Sequence, residues 1–503
     1  MPIDLIDELR WRGLIHQCTD EAGLRAHLAS GTRSIYAGFD PTADSVTIGN
    51  LVPIMMLVHV QRAGHEPVVV MGGGTGLIGD PSGKSAERQL MTEETVRRNV
   101  EAIRPIFERV FANAAAAEGR NGATHGGAAR TPPILNNLDW LGKLGYLEAL
   151  RDIGKHFSVN MMIQKDSVRA RLHERDQGIS YTEFSYMILQ SYDYLVLFRD
   201  FAKHGLPRPV TLQMGGSDQW GNIVSGGDLI HGEYWLRVAD SVRARGVEKE
   251  LPGGRMYQPG RSEIERPDTF GLTAPLVTKA DGGKFGKTES GAIWLTAPAG
   301  PSDTSKARTS AYAYYQFWLN ASDADAGRYL RIFTLLPKER IEAIEAEHAK
   351  DPSQRLAQRE LARAATALLH GTQAVEHAES AAKALFSGDI VSLPEATLRE
   401  ALAEAPSSTH DKALLAGGTS AGGTSADGGA ALEGLSAADL VALSSLVKEH
   451  SKSEARQLVK EGSISVNGRK IGPQDRFTPR DLLHGSILAV RRGKKAWHLL
   501  KWE

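Results

Sequence analysis

The stretch "RSIYAGFDPTADSVTIGNLVPIMMLVHVQRAGHEPVVVM" (residues 33–71) decides how this chain folds. Its ends, "RSIYAGF" and "EPVVVM", are short apolar runs of the kind buried on both faces of a sheet. Between them "NLVPIMMLVHVQRAG" reads as a helix. Strand, helix and strand in that order predict a parallel α/β sheet with helices on its faces. The segment "DSVTIGN" (44–50) opens that helix with polar residues and a glycine, but with no histidine or lysine. A helix start offers unpaired N–H groups and partial positive charge to an anion. Thr47 and Asn50 supply hydrogen-bond donors there, and Gly49 permits an approach that a side chain would block.

Outward from this core, "ETVRRNVEAIRPIFERVF" and "LEALRDIGKHFSV" predict further helices, and residues 301–405 read as helical throughout, a helical domain. Two low-complexity stretches interrupt the pattern. Residues 112–130, rich in Ala and Gly, read as an exposed loop insertion. Residues 406–434 read as a Gly/Ser/Ala linker. The expected organisation is a catalytic domain over 1–300, the helical domain, the linker, and a small α+β domain over 435–503.

Composition excludes several classes. The chain has 503 residues, 41% of them apolar and 24% charged, as in ordinary globular proteins. Cys18 is the single cysteine, which excludes a disulfide framework and a cysteine-rich zinc site and fits a reducing compartment. The N-terminus carries Asp4, Asp7 and Glu8, unlike a signal or transit peptide. No stretch reaches the roughly 18 apolar residues of a membrane span. A cytoplasmic location without membrane attachment is expected. The histidines show no metal-ligand spacing, and no protein-bound metal is expected.

Formal charge is −1 overall, yet residues 451–503 hold 12 Lys/Arg against 5 Asp/Glu. Here "SKSEARQLVKEG" predicts a helix ending at Gly462. "SISVNGRKI" predicts a hairpin turning at Asn467-Gly468, and "GSILAVRRGKKAWHLLKW" predicts strands around a basic turn. Arg456, Arg469, Lys470, Arg491, Arg492, Lys494 and Lys495 suit a polyanion such as nucleic acid, or else a solvated basic surface.

One motif misleads. "GTGLIG" (74–79) has G-x-G-x-x-G spacing after a strand, but "DPSG" follows at once, where a dinucleotide site needs an unbroken helix.

Three separated segments resemble the tyrosyl-tRNA synthetase family: "YAGFDPTADSVTIGN" (36–50), "YTEFSYMILQSYDY" with "LQMGGSDQWGNI" (181–223), and "KFGKT" (284–288). "GLIGDPSGK", "NNLDWL", "GKHFSVN" and "LFSGDI" match the family as well, and the tail resembles the RNA-binding domain of ribosomal protein S4. The resemblance spans nearly the whole chain, apart from the low-complexity stretches and residues 237–265. It implies a Rossmann-like catalytic domain and ligation of L-tyrosine to tRNA(Tyr), with ATP–Mg²⁺ consumed as a substrate complex. It also implies a homodimer and a helical domain on the anticodon side.

The resemblance further assigns residues. Thr47, Gly49 and Asn50 stand where the family usually has His-x-Gly-His, and Lys284 and Lys287 stand for the cations of its Lys-Met-Ser-Lys-Ser loop. Tyr36 and Asp193 would contact the substrate phenol, Tyr186 and Gln190 the α-ammonium, with Asp80, Gln213 and Asn137 nearby. Gly38, Asp40, Thr42, Gly216, Asp218 and Gln219 would face ATP or the adenylate. Tyr186, Gln190 and Asp193 follow i, i+4, i+7 spacing, one face of a helix. Asp218 could equally be a helix N-cap. "TIGN" itself looks like the version in bacterial tryptophanyl-tRNA synthetases. "YAGFDPTA", Asp193, "KFGKT" and the S4-like tail stand against that rival. A non-catalytic RNA-binding protein on the same fold is the alternative from another class, and adenylate formation separates it.

Overall fold

The computed structural model describes residues 3–82, 90–120, 131–165, 168–169, 178–244, 250–251, 255–256, 266–288, 291–300, 303–403, 405–416, 434–493 and 496–503. They divide into two compact units, residues 1–309 with 318–369, and residues 310–317 with 370–503.

The first unit is built on a six-stranded sheet of β1 (Gln17–Cys18), β2 (Ser34–Phe39), β3 (Glu66–Met71), β4 (Ile134–Asn136), β5 (Val210–Gly216) and β6 (Phe270–Ala274). The spatial order is β1-β6-β5-β2-β3-β4, parallel except for β1 at the edge. The chain runs outward from β2 to β4 on one side and then from β5 to β6 on the other. The strand order therefore reverses between β2 and β5, and ligands of such sheets bind beyond the carboxyl ends of the strands at that point.

Preceding β1 is helix α1 (Leu5–Trp11), and β2 and β3 are joined by helix α2 (Leu51–Arg62). Nine of the twelve α2 residues are buried, so this helix is apolar almost all round. Its Pro53 lies in the first turn, where a missing N–H costs nothing. After β3, the short helix Thr75–Ile78 ends at Gly79 (φ 87°), too brief for the dinucleotide motif that "GTGLIG" imitates.

Helix α3 (Glu93–Arg120) corrects one expectation, since the presumed loop insertion begins as helix and remains so through Arg120. Alanine is the best helix former, and the extension has partners: Ala114 is buried, Asn113 Nδ2 donates to the Leu368 carbonyl at 2.9 Å, and Glu118 pairs with Arg62 at 2.7 Å. Residues 121–130 of that stretch lie outside the described residues.

Helices α4 (Tyr181–Arg199) and α5 (Trp220–Ala244) pack beside β5, and α6 (Asp323–Phe333) follows the lysine-containing segment. Most of the 237–265 segment singled out in the sequence lies outside what is described. Arg12, just after α1, is buried and donates to three carbonyls at the end of α6: Arg331 (2.8 Å), Thr334 (2.7 Å) and Leu336 (2.9 Å). It thereby closes the unpaired C-terminal carbonyls of that helix.

The second unit includes helix α7 (Thr372–Ser387). Its five-stranded sheet has the order β7-β11-β10-β8-β9, formed from β7 (Ser407–His410), β8 (Ile464–Val466), β9 (Arg469–Lys470), β10 (Ile487–Arg492) and β11 (Ala496–Trp502). The predicted hairpin is present, with Asn467 (φ 50°) and Gly468 (φ 81°) giving the two left-handed positions of a type I′ turn. The predicted helix is Lys452–Lys460.

Two boundaries differ from the sequence expectation. The stretch 301–405 is shared between the two units instead of forming its own. The linker also starts later than residue 406, because β7 pairs in parallel with β11 and Leu415 is fully buried in the core of this unit. The polar sequence "SSTH" becomes a strand because the edge of β11 offers it a partner.

Candidate active site

The switch point between β2 and β5 gathers most of the residues singled out in the sequence. Tyr36 lies on β2 with its ring 1% exposed, and its hydroxyl has no hydrogen-bond partner among the described residues. Burial, with the nearby Asp193 charge, holds that phenol well above its usual range. Gln213 on β5 is equally buried, and its Oε1 has no partner among the described residues.

Asp193, on α4, is 4% exposed. It accepts hydrogen bonds from Trp140 Nε1 at 2.7 Å and Asn137 Nδ2 at 3.0 Å. Burial pushes its carboxyl up to about 7, against these two donors, which favour the charged form.

Asn137 is the hub of this network. Its Oδ1 accepts from the Gly74 amide at 2.7 Å, and its Nδ2 also reaches Thr75 Oγ1 at 3.0 Å. Thr75 donates in turn to Asp40 Oδ1 at 2.7 Å, and Tyr186 donates its hydroxyl to Asp40 Oδ2 at 2.8 Å. The sequence set Asp40 on the phosphate side and Tyr186 on the amino-acid side; the structure joins the two directly. Gly72 is required beneath them, since a Cβ there would stand 2.0 Å from Asp40 Oδ1.

A second network connects α4 to the segment after β5. Gln219 Nε2 donates to Asp80 Oδ2 at 2.6 Å and to Asp218 Oδ2 at 3.3 Å. Asn222 Nδ2 donates to Gln190 Oε1 at 2.9 Å. Asp218 is raised above the usual carboxylate range, by burial first. The N-cap of the helical turn Ser217–Gln219 is Gly216, so Asp218 lies inside that turn and not at its cap. Gly38, near the end of β2, is exposed, and a Cβ there would meet nothing within 4 Å. At Gly216 a Cβ would approach Asp218 Oδ1 to 2.5 Å.

At the helix start, Thr47 donates both its amide (3.2 Å) and its hydroxyl (3.1 Å) to Asn50 Oδ1. These two residues hold the turn through each other. Only Thr47 Oγ1, at 3.7 Å, would lie near a Cβ at Gly49, so the space before this glycine is open. Thr42 lies apart, in a polar depression with Asp44, Arg98, Asn99 and Arg308.

The lysine segment meets the same turn. Gly286 has φ 74°, and a Cβ on it would fall 2.3 Å from Ile48 Cγ2. Residue Ile293 ties both together, donating its amide to the Gly286 carbonyl and accepting from the Ile48 amide, each at 2.9 Å. The side chains of Lys284 and Lys287 are exposed.

Three residues absent from the sequence reading complete the site: Thr75, Trp140 and Asn222. Each lies inside a quoted motif, "GTGLIG", "NNLDWL" and "GGSDQWGN", which was the available signal.

In the second unit the basic residues diverge. Arg456, Arg469 and Lys470 are exposed, with Arg469 3.4 Å from Asp475. Arg491 turns inward, donating to the Leu385 carbonyl of α7 at 3.0 Å and lying 5.1 Å over the Trp497 ring. Arg492 donates to the Leu446 carbonyl at 3.0 Å and pairs with Glu454 at 3.6 Å. Arg491 thus caps the end of a helix. Lys494 and Lys495 lie outside the described residues.

Comparisons with known proteins identify the family. Residues 30–387 match the family described as tRNA synthetases class I (W and Y), and residues 436–500 match the tyrosine–tRNA ligase SYY-like C-terminal domain. The chain is 42% identical over 501 residues to tyrosine–tRNA ligase 1 of Bacillus licheniformis, covering 99% of both. It is 41% identical over 501 residues to the tyrosine–tRNA ligase of Aliivibrio fischeri (strain MJ11), again covering 99% of both. Among solved structures, a C-terminally truncated mitochondrial tyrosyl-tRNA synthetase of Coccidioides posadasii superposes with a TM-score of 0.58 at 31% identity, over 75% of this chain and 91% of that one.

Proposed function

Since the chain belongs to the tyrosyl-tRNA synthetase family, we propose how its own side chains divide that enzyme's work. The enzyme activates L-tyrosine with ATP, forming tyrosyl-adenylate and diphosphate, and then charges tRNA with tyrosine. No protein nucleophile is required: an oxygen of the tyrosine carboxylate attacks the α-phosphorus as diphosphate leaves. In the second step a 3′-terminal ribose hydroxyl attacks the acyl carbon and AMP leaves. The protein must hold the reactants in line and balance charge on the phosphates.

The substrate phenol lies between Tyr36 and Asp193. The observation that carries this reading is the buried Tyr36 hydroxyl, without a partner among the described residues beside a carboxyl already fixed by Asn137 and Trp140. A buried hydroxyl is costly until it is bonded, and a tyrosine hydroxyl would satisfy it. Tyr186, Gln190 and Asp80 receive the α-ammonium, and Gln213 faces the amino acid. Asp218, Gln219, Gly216 and Gly38 receive the adenosine. The open space before Gly49 receives the phosphates together with Lys284 and Lys287, and Asp40 borders that side. Mg²⁺ arrives with ATP as part of the substrate. Among the described residues no group of three or more His, Cys, Asp or Glu could hold a metal of the protein's own.

The exposed apolar residues Tyr146, Leu147, Leu150 and Tyr181 support a dimer of two copies. The exposed Arg456, Arg469 and Lys470, with Lys494 and Lys495, support tRNA contact by the C-terminal residues 435–503, with the helical stretch 301–405 on the anticodon side. The enzyme works in the cytoplasm.

Tyrosine-dependent ATP–diphosphate exchange, compared with phenylalanine and tryptophan, tests the pocket. Losing a buried hydrogen bond of about 1–3 kcal/mol should cut the preference for tyrosine over phenylalanine by about 5- to 150-fold in Tyr36→Phe and in Asp193→Asn. An undiminished preference in both variants would refute the assignment.

A further inference from the structure

The lysine segment is fastened to α6 at both its stem and its tip. At the stem, Asp325 in the first turn of α6 is 4% exposed and accepts from the Ala280 amide at 3.0 and 3.2 Å. The same carboxylate accepts from Ser322 Oγ at 2.7 Å and Arg328 Nη2 at 2.9 Å. Arg328 also donates to the Thr278 carbonyl. At the tip, Phe285 sits between the two lysines and enters an aromatic seat. Its ring stacks on Phe333 (5.2 Å, 9°) and lies 5.2 Å from Tyr329 and 6.0 Å from Trp318. Phe333 and Trp318 are fully buried, so the seat is rigid.

These fastenings bracket Lys284, and Lys287 lies just beyond them. Immediately before Lys287, Gly286 rests against Ile48 of the helix start. A lysine ammonium is a mobile point charge on a flexible stem, so its placement depends on the backbone beneath it. Within the segment Asp281 accepts from the Gly283 amide at 2.8 Å, and the side chains that anchor it to the body come mainly from α6.

From this geometry we infer that α6 places the two lysines for tyrosine activation, with Asp325 and Phe333 as positioning residues that never touch substrate. The inference rests on the reading that Lys284 and Lys287 face the ATP phosphates. It locates the control of a catalytic loop in a helix some forty residues further along the chain.

A double-mutant cycle on tyrosine-dependent ATP–diphosphate exchange tests it. Asp325→Asn and Phe333→Leu are each expected to lower kcat about tenfold while the tyrosine KM stays within twofold. In a Lys284→Ala/Lys287→Ala background each should lower the remaining rate less than twofold, because a group acting through the lysines has nothing left to place. Phe285→Leu, at the half-buried loop tip, gives the same test if an α6 variant fails to fold. Full tenfold losses on top of the double lysine variant, or a tyrosine KM that rises with the fall in kcat, would mean that these residues only support the fold. A Lys287→Ala enzyme at the wild-type rate would remove the phosphate reading itself, and the inference with it. A normal Lys287 loss beside unchanged Asp325, Phe333 and Phe285 variants would remove the inference alone.

Discussion

Asp193 draws both of its hydrogen bonds from neutral donors and sits in a buried pocket, and its carboxyl is pushed up to about 7. An unfolded aspartate titrates near 4. The folded enzyme therefore binds this proton more tightly than the unfolded chain does. The group's contribution to stability is greatest below about pH 4 and is lost as pH rises to about 7, at roughly 1.4 kcal/mol per pH unit across that window. Urea unfolding at pH 5, 6, 7 and 8 should show this fall in the wild type and a shallower one in Asp193→Asn; parallel curves would count against it. Asp193 was legible in the sequence because a carboxylate on the same helical face as Tyr186 and Gln190 calls for a partner. Its partner Trp140 was not, since more than fifty residues separate them and only the fold brings the indole N–H inward. Thr75 escaped for a related reason: a small hydroxyl inside a glycine motif carries no local pattern.

Among the elements, β2, α2 and β3 were readable because hydrophobic period and length depend only on neighbouring residues. The end of α3 was misread because a run of alanines resembles a linker in composition while favouring helix in energy. Strand β7 had no local signal, as its pairing exists only where β11 leaves an edge. At this scale Gly286 joins two elements. An alanine there would need a left-handed backbone, which costs about 1–2 kcal/mol for an L-residue, and would also collide with Ile48. Gly286→Ala should slow diphosphate exchange at least tenfold with little change in tyrosine KM. Exchange at the wild-type rate would show that the lysine segment and the helix start are not mechanically joined.

For the molecule as a whole, the two units assign the two half-reactions different requirements. The residues proposed for adenylate formation all lie in the first unit, and the exposed cations proposed for RNA lie in the second. In the second unit the hairpin turn presses on the end of α7, where a Cβ at Gly468 would fall 1.6 Å from the Gly388 carbonyl oxygen. Gly468→Ala should therefore leave tyrosine-dependent exchange within twofold while raising the tRNA concentration needed for charging by about tenfold, measured with saturating tyrosine and ATP. Equal losses in both assays would show that the units do not act separately. This division was partly visible in the basic tail; the sharing of 301–405 was not, because helical periodicity does not say which neighbour a helix chooses. Arg12, finally, bears on how the protein is made. Its acceptors lie as far as 324 residues further along the chain, and a buried guanidinium without acceptors is costly. During synthesis from the N-terminus the cap thus exists long before the helix it closes. The first unit cannot complete its fold until residues up to Leu336 have left the ribosome, and until then Arg12 stays hydrated beside Glu8, its ion-pair partner at 2.8 Å in the folded protein.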